Sequence, residues 1–263
     1  MKVLNSFLLI LFLSYQIQIF AQTENVSNAV EIKNGPHKAY FDNGILRYEG
    51  QFENGKPVGV FKYYFKTGEL KSILEHTKDQ LVNAIHYYQN GEKMAEGSYK
   101  DQKKQGKWIS YGASERVVTE GNYISGNKYE NWKTYYTDGK LAEEVMFKAD
   151  FEEGPFKTYF KDGKLKQEGN YEKGYKQGKS TFYYNKGSIA IKGQYYKDTR
   201  DGIWIYFDED GLELQKVEYE KGKRITPLLY EELEDVDQFR MNVKDDLEFE
   251  DMEGTIKYDK ERQ

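Results

Sequence analysis

The chain has 263 residues, with 39 Lys or Arg against 44 Asp or Glu and a formal net charge of -5. That balance argues against a nucleic-acid binder, which needs a basic footprint. With no Cys anywhere, disulfides play no part in the fold, so stability has to come from packing over length.

Residues 1–21 carry Lys2, an apolar run from Phe7 to Leu13, a mixed stretch to Phe20 and a small residue at Ala21. This is the pattern of a secretory signal peptide. Ile19 and Ala21 stand where a signal peptidase reads, which places cleavage after Ala21 and the mature N-terminus at Gln22. Gln16 and Gln18 interrupt the run before it reaches the ~20 apolar residues of a membrane span. The expected localisation is export, to the periplasm, the cell envelope or the medium. Residues 22–34 then form a linker.

From residue 35 to 225 one unit repeats eight times, starting at Gly35, Gly59, Val82, Gly106, Glu130, Gly154, Gly178 and Gly202. The spacing is 24 at every step but one, which is 23. Counting each start as zero, the consensus is G-x-[W/F]-x-x-Y-[Y/F]-x-[D/N]-G-x-L-x-x-E-G-x-Y-x-x-G-x-x-x. A fixed period of this length marks stacked supersecondary units, none able to bury its apolar side alone.

Within the unit, aromatic residues alternate with Lys, Glu and Thr, and Asn-Gly or Asp-Gly recurs at offsets 8 and 9, as in Asn43-Gly44 and Asp138-Gly139. Such a dipeptide between alternating runs predicts a hairpin with a two-residue type I′ turn. Counting outward from that turn, offset 6 faces 11, 4 faces 13, 3 faces 14 and 2 faces 15. Phe41 then meets Leu46 and Tyr136 meets Leu141, while Lys38 meets Glu49, Lys133 meets Glu144 and Lys157 meets Glu168 on the other face. Trp108 lies across from Gly121, and Phe156 across from Gly169. The predicted fold is all-β: an elongated single-layer antiparallel meander of about sixteen strands, roughly 70 Å long at ~4.8 Å per strand. Residues 226–263 follow as an acidic tail opening with a short C-terminal helix over about 228–240, marked by Leu229, Leu233 and Val236.

The run Glu-Gly-x-Tyr-x-x-Gly-x-x-x-Gly-x-Trp, as in Gly121 to Trp132 and Gly169 to Gly178, resembles the MORN repeat. The closer likeness is to the MORN-variant repeats of exported bacterial proteins, some of them catalogued as antitoxins of toxin–antitoxin systems. A bulky ring at Trp108, Trp132, Phe156 and Trp204 departs from the parent pattern, which has Gly there. The resemblance implies a hairpin-repeat scaffold and, from the parent proteins, protein partners or lipid headgroups.

Two rows are candidate binding residues. Phe61, Trp108, Trp132, Phe156 and Trp204 form an aromatic row that an open layer cannot leave in water, so either the sheet curls over it or something docks. Tyr64, Tyr87, Tyr111, Tyr135, Tyr159 and Tyr183 form a tyrosine row on the opposite face, flanked by Lys and Glu. His37, His76 and His86 occupy different offsets, and neither a phosphate-cradling loop nor a G-x-S-x-G turn occurs. The expectation is therefore a non-enzymatic scaffold without metal or cofactor, binding a protein or envelope component, with a polysaccharide or lipid headgroup as the alternative ligand and an antitoxin-like inhibitor as a second.

Overall fold

The computed structural model describes residues 33–226. The predicted leader, C-terminal helix and acidic tail lie outside the described residues.

The described residues form one open antiparallel sheet of eighteen strands in meander order, each hydrogen-bonded to its neighbours in sequence except Tyr175–Lys176 and Gly178–Tyr183, which both pair with Leu165–Glu172. Two more strands appear than the sixteen expected. One strand is broken at Gln177 into Tyr175–Lys176 and Gly178–Tyr183, and a short strand at Lys223–Arg224 follows the eighth unit. Most first strands of a unit begin about three residues before the unit's own start, as in Lys56–Tyr64 and Asn127–Tyr135.

The predicted register holds in each hairpin away from its turn: Ala39 faces Tyr48, Lys38 faces Glu49 and His37 faces Gly50. Near the turn it does not. Tyr40, not Phe41, faces Leu46, and Tyr135, not Tyr136, faces Leu141. The cause is the turn type. The Gly44 N–H donates to the Phe41 carbonyl at 2.9 Å and the Phe41 N–H to the Ile45 carbonyl at 2.8 Å, and Gly44 has φ of 79° while Asn43 stays out of the left-handed region. This is a three-residue loop of a type I turn followed by a left-handed glycine. The loop is one residue longer than a type I′ turn, and a bulge at offset 12 takes up the difference, so the pairing further out is unchanged.

The type I′ turns instead join one unit to the next. Both central residues have positive φ at Asn54-Gly55 (50° and 77°), Ser125-Gly126 (51° and 94°) and Ala149-Asp150 (52° and 69°). They occupy every such junction except the shortened one, where Thr77 to Leu81 forms a three-residue loop with Gln80 at 63°.

At most of these junctions the ladder is interrupted by a wide bulge. Glu96 faces Ile109 and Ser98 faces Gln105, so two steps on one strand oppose four on the other. Gly106 takes a φ of 69° within the longer side, which is why a glycine opens the unit. The bulge frees the ring two residues on to turn back over the preceding hairpin. A Cβ built on Gly97 would fall within 3.0 Å of Trp108, one on Gly121 within 3.0 Å of Trp132, and those on Gly50 and Gly193 equally close to Phe61 and Trp204. Trp108 and Gly121 do face each other along the backbone, but the Trp108 ring covers Gly97. Phe156 is the exception. Val145 fills the position a glycine would leave open, and the ring lies over Gly169 of its own hairpin, 2.7 Å from a Cβ built there.

Candidate functional site: the two faces of the sheet

One face carries the rings. Phe61 is 1% exposed, Trp108 4%, Trp132 9%, Phe156 3% and Trp204 0%. The open apolar patch expected of these five residues is therefore not present, because neighbouring side chains of the same face close over them. Trp108 has edge contacts from Tyr99 at 4.9 Å and Tyr123 at 6.4 Å, and Trp132 from Tyr123 at 5.0 Å and Phe147 at 6.1 Å. Edge-to-face packing of this kind adds to simple burial. The indole N–H groups are satisfied too: Trp108, Trp132 and Trp204 donate to the carbonyls of Ser98, Asn122 and Gln194 at 3.0, 3.2 and 3.1 Å.

A row of cations roofs these rings, and sequence reasoning missed it. Lys104 Nζ lies 4.5 Å from the Trp108 centroid and 4.8 Å from that of Tyr123; Lys128 Nζ lies 4.7 Å from Trp132 and 5.0 Å from Phe147. Lys176 and Arg200 repeat the arrangement, the latter 4.6 Å over Trp204 and hydrogen-bonded to the Tyr206 and Tyr219 hydroxyls. Burial, followed by the charge of Lys128, holds the Lys104 ammonium below its usual pKa. The signal in the sequence is a basic residue four positions before each tryptophan, Lys104, Lys128 and Arg200, whereas Lys176 covers Phe156, which precedes it in the chain. His86 bridges Ser72 Oγ at 2.8 Å and the Tyr99 hydroxyl at 3.2 Å, and burial, then Lys104 and Lys71, lower its pKa.

The other face is a ladder of Tyr, Glu and Lys. The tyrosine hydroxyl of one unit donates to the glutamate of the unit before it: Tyr64 to Glu49 at 2.9 Å, Tyr111 to Glu96 at 2.6 Å, Tyr135 to Glu120 at 2.6 Å, Tyr159 to Glu144 at 2.9 Å and Tyr183 to Glu168 at 2.7 Å. Each pair is 15 residues apart in sequence. Lys38, Lys107 and Lys133 add ion pairs at 3.2, 2.7 and 3.6 Å to Glu49, Glu120 and Glu144. Lys157 faces Glu168 along the backbone, but that glutamate is held by Tyr183 rather than by an ion pair.

The exceptions are informative. Tyr87 of the row stands opposite a unit that has Ile73 where its siblings have Glu, and where the glutamate becomes Lys192 the tyrosine becomes Phe207, with the ammonium 5.7 Å from the ring. The row is thus an inter-unit staple whose hydroxyls are already engaged. Burial, and then the bond to glutamate, push Tyr111, Tyr135, Tyr159 and Tyr183 up to about 12. The Tyr64 and Tyr111 hydroxyls in turn hold Glu49 and Glu96 below the usual carboxylate value.

Along one margin of the ladder face, four successive inter-unit turns each present a large side chain: Ile124 at 45% exposure, Phe151 at 62%, Tyr175 at 50% and Tyr196 at 51%. No group of three or more His, Asp or Glu among the described residues is placed to hold a metal ion, and no described helix is long and apolar enough to cross a membrane.

This architecture defines a single-layer β-hairpin repeat scaffold. The MORN repeat variant model matches five times, at residues 33–54, 57–79, 83–101, 131–149 and 152–173, so these hairpins are MORN-variant repeats. No curated protein matches it. Among solved structures it is similar to a TarM mutant from S. aureus in complex with fondaparinux, alpha-GlcNAc-glycerol and UDP, at 13% identity over 51% of this chain and 25% of that one, TM-score 0.28. It is also similar to the Photorhabdus luminescens Tc holotoxin pore, at 11% identity over 71% and 13% of the two chains, TM-score 0.23. A GtfA/B complex bound to UDP and GlcNAc gives 12% identity over 65% and 26%, TM-score 0.17. The chain spans about a quarter or less of these proteins, and TM-scores this low decide neither fold nor activity.

Proposed function

We propose that this chain is an exported, non-enzymatic repeat scaffold that binds a protein or cell-envelope partner through its sheet. The family supports the scaffold part of the reading. The observation that carries the binding part is the margin row Ile124, Phe151, Tyr175 and Tyr196. The rings of the opposite face are buried and the ladder tyrosines other than Tyr87 are bonded to glutamate, while these four large side chains stay exposed at successive inter-unit turns; Tyr40, Ile203 and Leu212 are exposed too, but away from these turns. They recur along one margin at steps of three, two and one strand spacings, roughly 14, 10 and 5 Å, and exposed aromatic residues of this kind are what protein interfaces enrich.

The test compares the full chain with an Ile124→Ser, Phe151→Ser, Tyr175→Ser, Tyr196→Ser variant in pull-downs from envelope extract. Loss of specific proteins from the variant's eluate supports the reading; an identical set of retained proteins refutes it. Export is checked separately by fractionation and by the mass of the mature N-terminus, expected at Gln22. A glycan array addresses the polysaccharide alternative, which the same exposed aromatic side chains favour.

A further inference from the structure

We infer that the ring face between the third and fifth units is a docking site for an extended acidic segment of a protein partner, seated on Lys104 and Lys128. The inference rests on the reading of the chain as a protein-binding scaffold and adds a second, electrostatic contact on the opposite face.

Lys104 and Lys128 are half-buried on their indole platforms, yet neither makes an ion pair among the described residues, whereas Lys38, Lys93, Lys107 and Lys133 on the ladder face all do. Asp150 lies near, but its Oδ1 accepts from the main-chain N of Lys128 at 2.6 Å. Among the other ring-face polar groups here, Ser110 Oγ and Thr119 Oγ1 bond each other at 2.5 Å, and burial, then Lys104 and Lys71, lower the His86 pKa; Glu152 takes the position equivalent to Lys128 one unit further along, opposite Phe147. Two like charges kept side by side on a partly dry surface with only ring faces beneath them cost free energy that an incoming carboxylate recovers. The neighbouring cations of the row are different, since Arg200 is already bonded to two tyrosine hydroxyls.

Spacing selects the ligand. The two lysines sit one unit apart, about two strand spacings or ~10 Å. An extended polyproline-type chain rises ~3.1 Å per residue with three residues per turn, so carboxylates at every third position recur on one side at about 9 Å. A strand-like segment with alternate carboxylates repeats at about 7 Å and falls out of step. An acidic segment running along the long direction of the sheet therefore meets both cations.

The probe is a synthetic (Glu-Pro-Pro) peptide of five triplets, with a (Glu-Pro) peptide of equal charge as the spacing control and a sulfated glycan and anionic vesicles as the competing classes. Trp204→Phe removes the one tryptophan outside this region, since the chain has three, so that the fluorescence of Trp108 and Trp132 reports occupancy. The full chain with that change should bind the first peptide saturably at low salt, weaken steeply as salt rises, and lose at least ten-fold in affinity in Lys104→Gln/Lys128→Gln. Lys104→Arg/Lys128→Arg should keep it, which controls for a glutamine variant that fails to fold. No saturable binding, equal binding by the glutamine variant when folded, preference for the glycan or vesicles, or binding only after removal of residues 227–263, each overturns the proposal. The margin variant of the preceding test should bind the peptide unchanged, so the two readings fail separately.

Discussion

Replacing Gly121 with Ala should cost as much as removing a core side chain, although it adds one methyl group. The position is on a regular strand, without the positive φ that would itself penalise a side chain, but a Cβ there falls inside the Trp132 ring. The ring must slide off, and three losses follow. Overpacking of a closed site costs about 1–3 kcal/mol, the indole bond to the Asn122 carbonyl at 3.2 Å about 1 kcal/mol, and the edge contact with Tyr123 at 5.0 Å about 0.5–1.5 kcal/mol. Against these stands a gain of roughly 0.5–1 kcal/mol for Ala over Gly within a strand. The net expectation is about 3 kcal/mol, similar to Trp132→Ala at about 3–5 kcal/mol. The double variant is the discriminating measurement. With the ring gone the methyl group has nothing to strike, so Gly121→Ala in the Trp132→Ala background should be neutral or mildly stabilising, a coupling of about 3 kcal/mol. Urea unfolding gives the totals, and native-state amide exchange localises the loss to strands Val117–Ile124 and Asn127–Tyr135, since a repeat array can open in part. A single-variant cost below about 0.5 kcal/mol, or additive single variants, refutes the ring-over-glycine account.

Gly139→Ala, at φ of 85° with nothing within 4 Å of the added Cβ, should lose only the strain of a left-handed residue, about 1–2 kcal/mol, in a urea melt. Ala149→Gly, at φ of 52°, should stabilise by up to about 1 kcal/mol for the same reason; a lower midpoint would count against the turn assignment. Tyr135→Phe should cost about 1 kcal/mol through the lost bond to Glu120, whereas Tyr87→Phe should cost little in the same assay. For pH, the raised tyrosines contribute stability that is complete below their unfolded value near 10 and is lost as pH climbs towards about 12. Absorbance at 295 nm should show these phenols ionising together with unfolding. At the acid end Glu49 and Glu96, whose folded values are lowered, contribute stability present above their unfolded value near 4.5 and lost as pH falls below it.

The period and the register away from the turns were legible because a sheet tolerates no slip by one residue without exchanging its faces. The turn type was not. Asn43-Gly44 suits a type I′ turn and equally a type I turn closed by a left-handed glycine, and the compensating bulge at Arg47 leaves the same outer pairing. The ring positions were hidden by the same kind of irregularity, since Trp108 faces Gly121 in the ladder yet covers Gly97 through the wide bulge. A signal for it does exist. Phe61, Trp108, Trp132 and Trp204 each follow their glycine by 11 residues, and where Val145 replaces that glycine the ring of Phe156 turns the other way. The Glu-to-Tyr spacing of 15 was as regular, but both residues already had plausible partners in water or lysine.

Both devices join a unit to its predecessor rather than closing the unit on itself, and this bears on how the surface serves binding. Except at Phe156, the ring lies on the glycine of the hairpin before it, the tyrosine bonds the glutamate of the hairpin before it, and the type I′ turn is the junction itself. Stability therefore resides in nearest-neighbour interfaces that are renewed at every step. Offsets 18 and 21, which supply Ile124, Phe151, Tyr175 and Tyr196, belong to neither device. Their residues vary from Glu53 and Lys56 at one end to Tyr196 and Thr199 further along, where the ladder positions scarcely change. A scaffold that holds itself together through fixed offsets leaves the others free to be set by a partner. Exchanging Phe151 and Tyr175 for Lys, which already occupies the equivalent position at Lys56 and Lys103, should thus leave the urea midpoint unchanged within about 0.5 kcal/mol while abolishing partner capture. A large loss of stability would show that the margin belongs to the fold and not to its ligand.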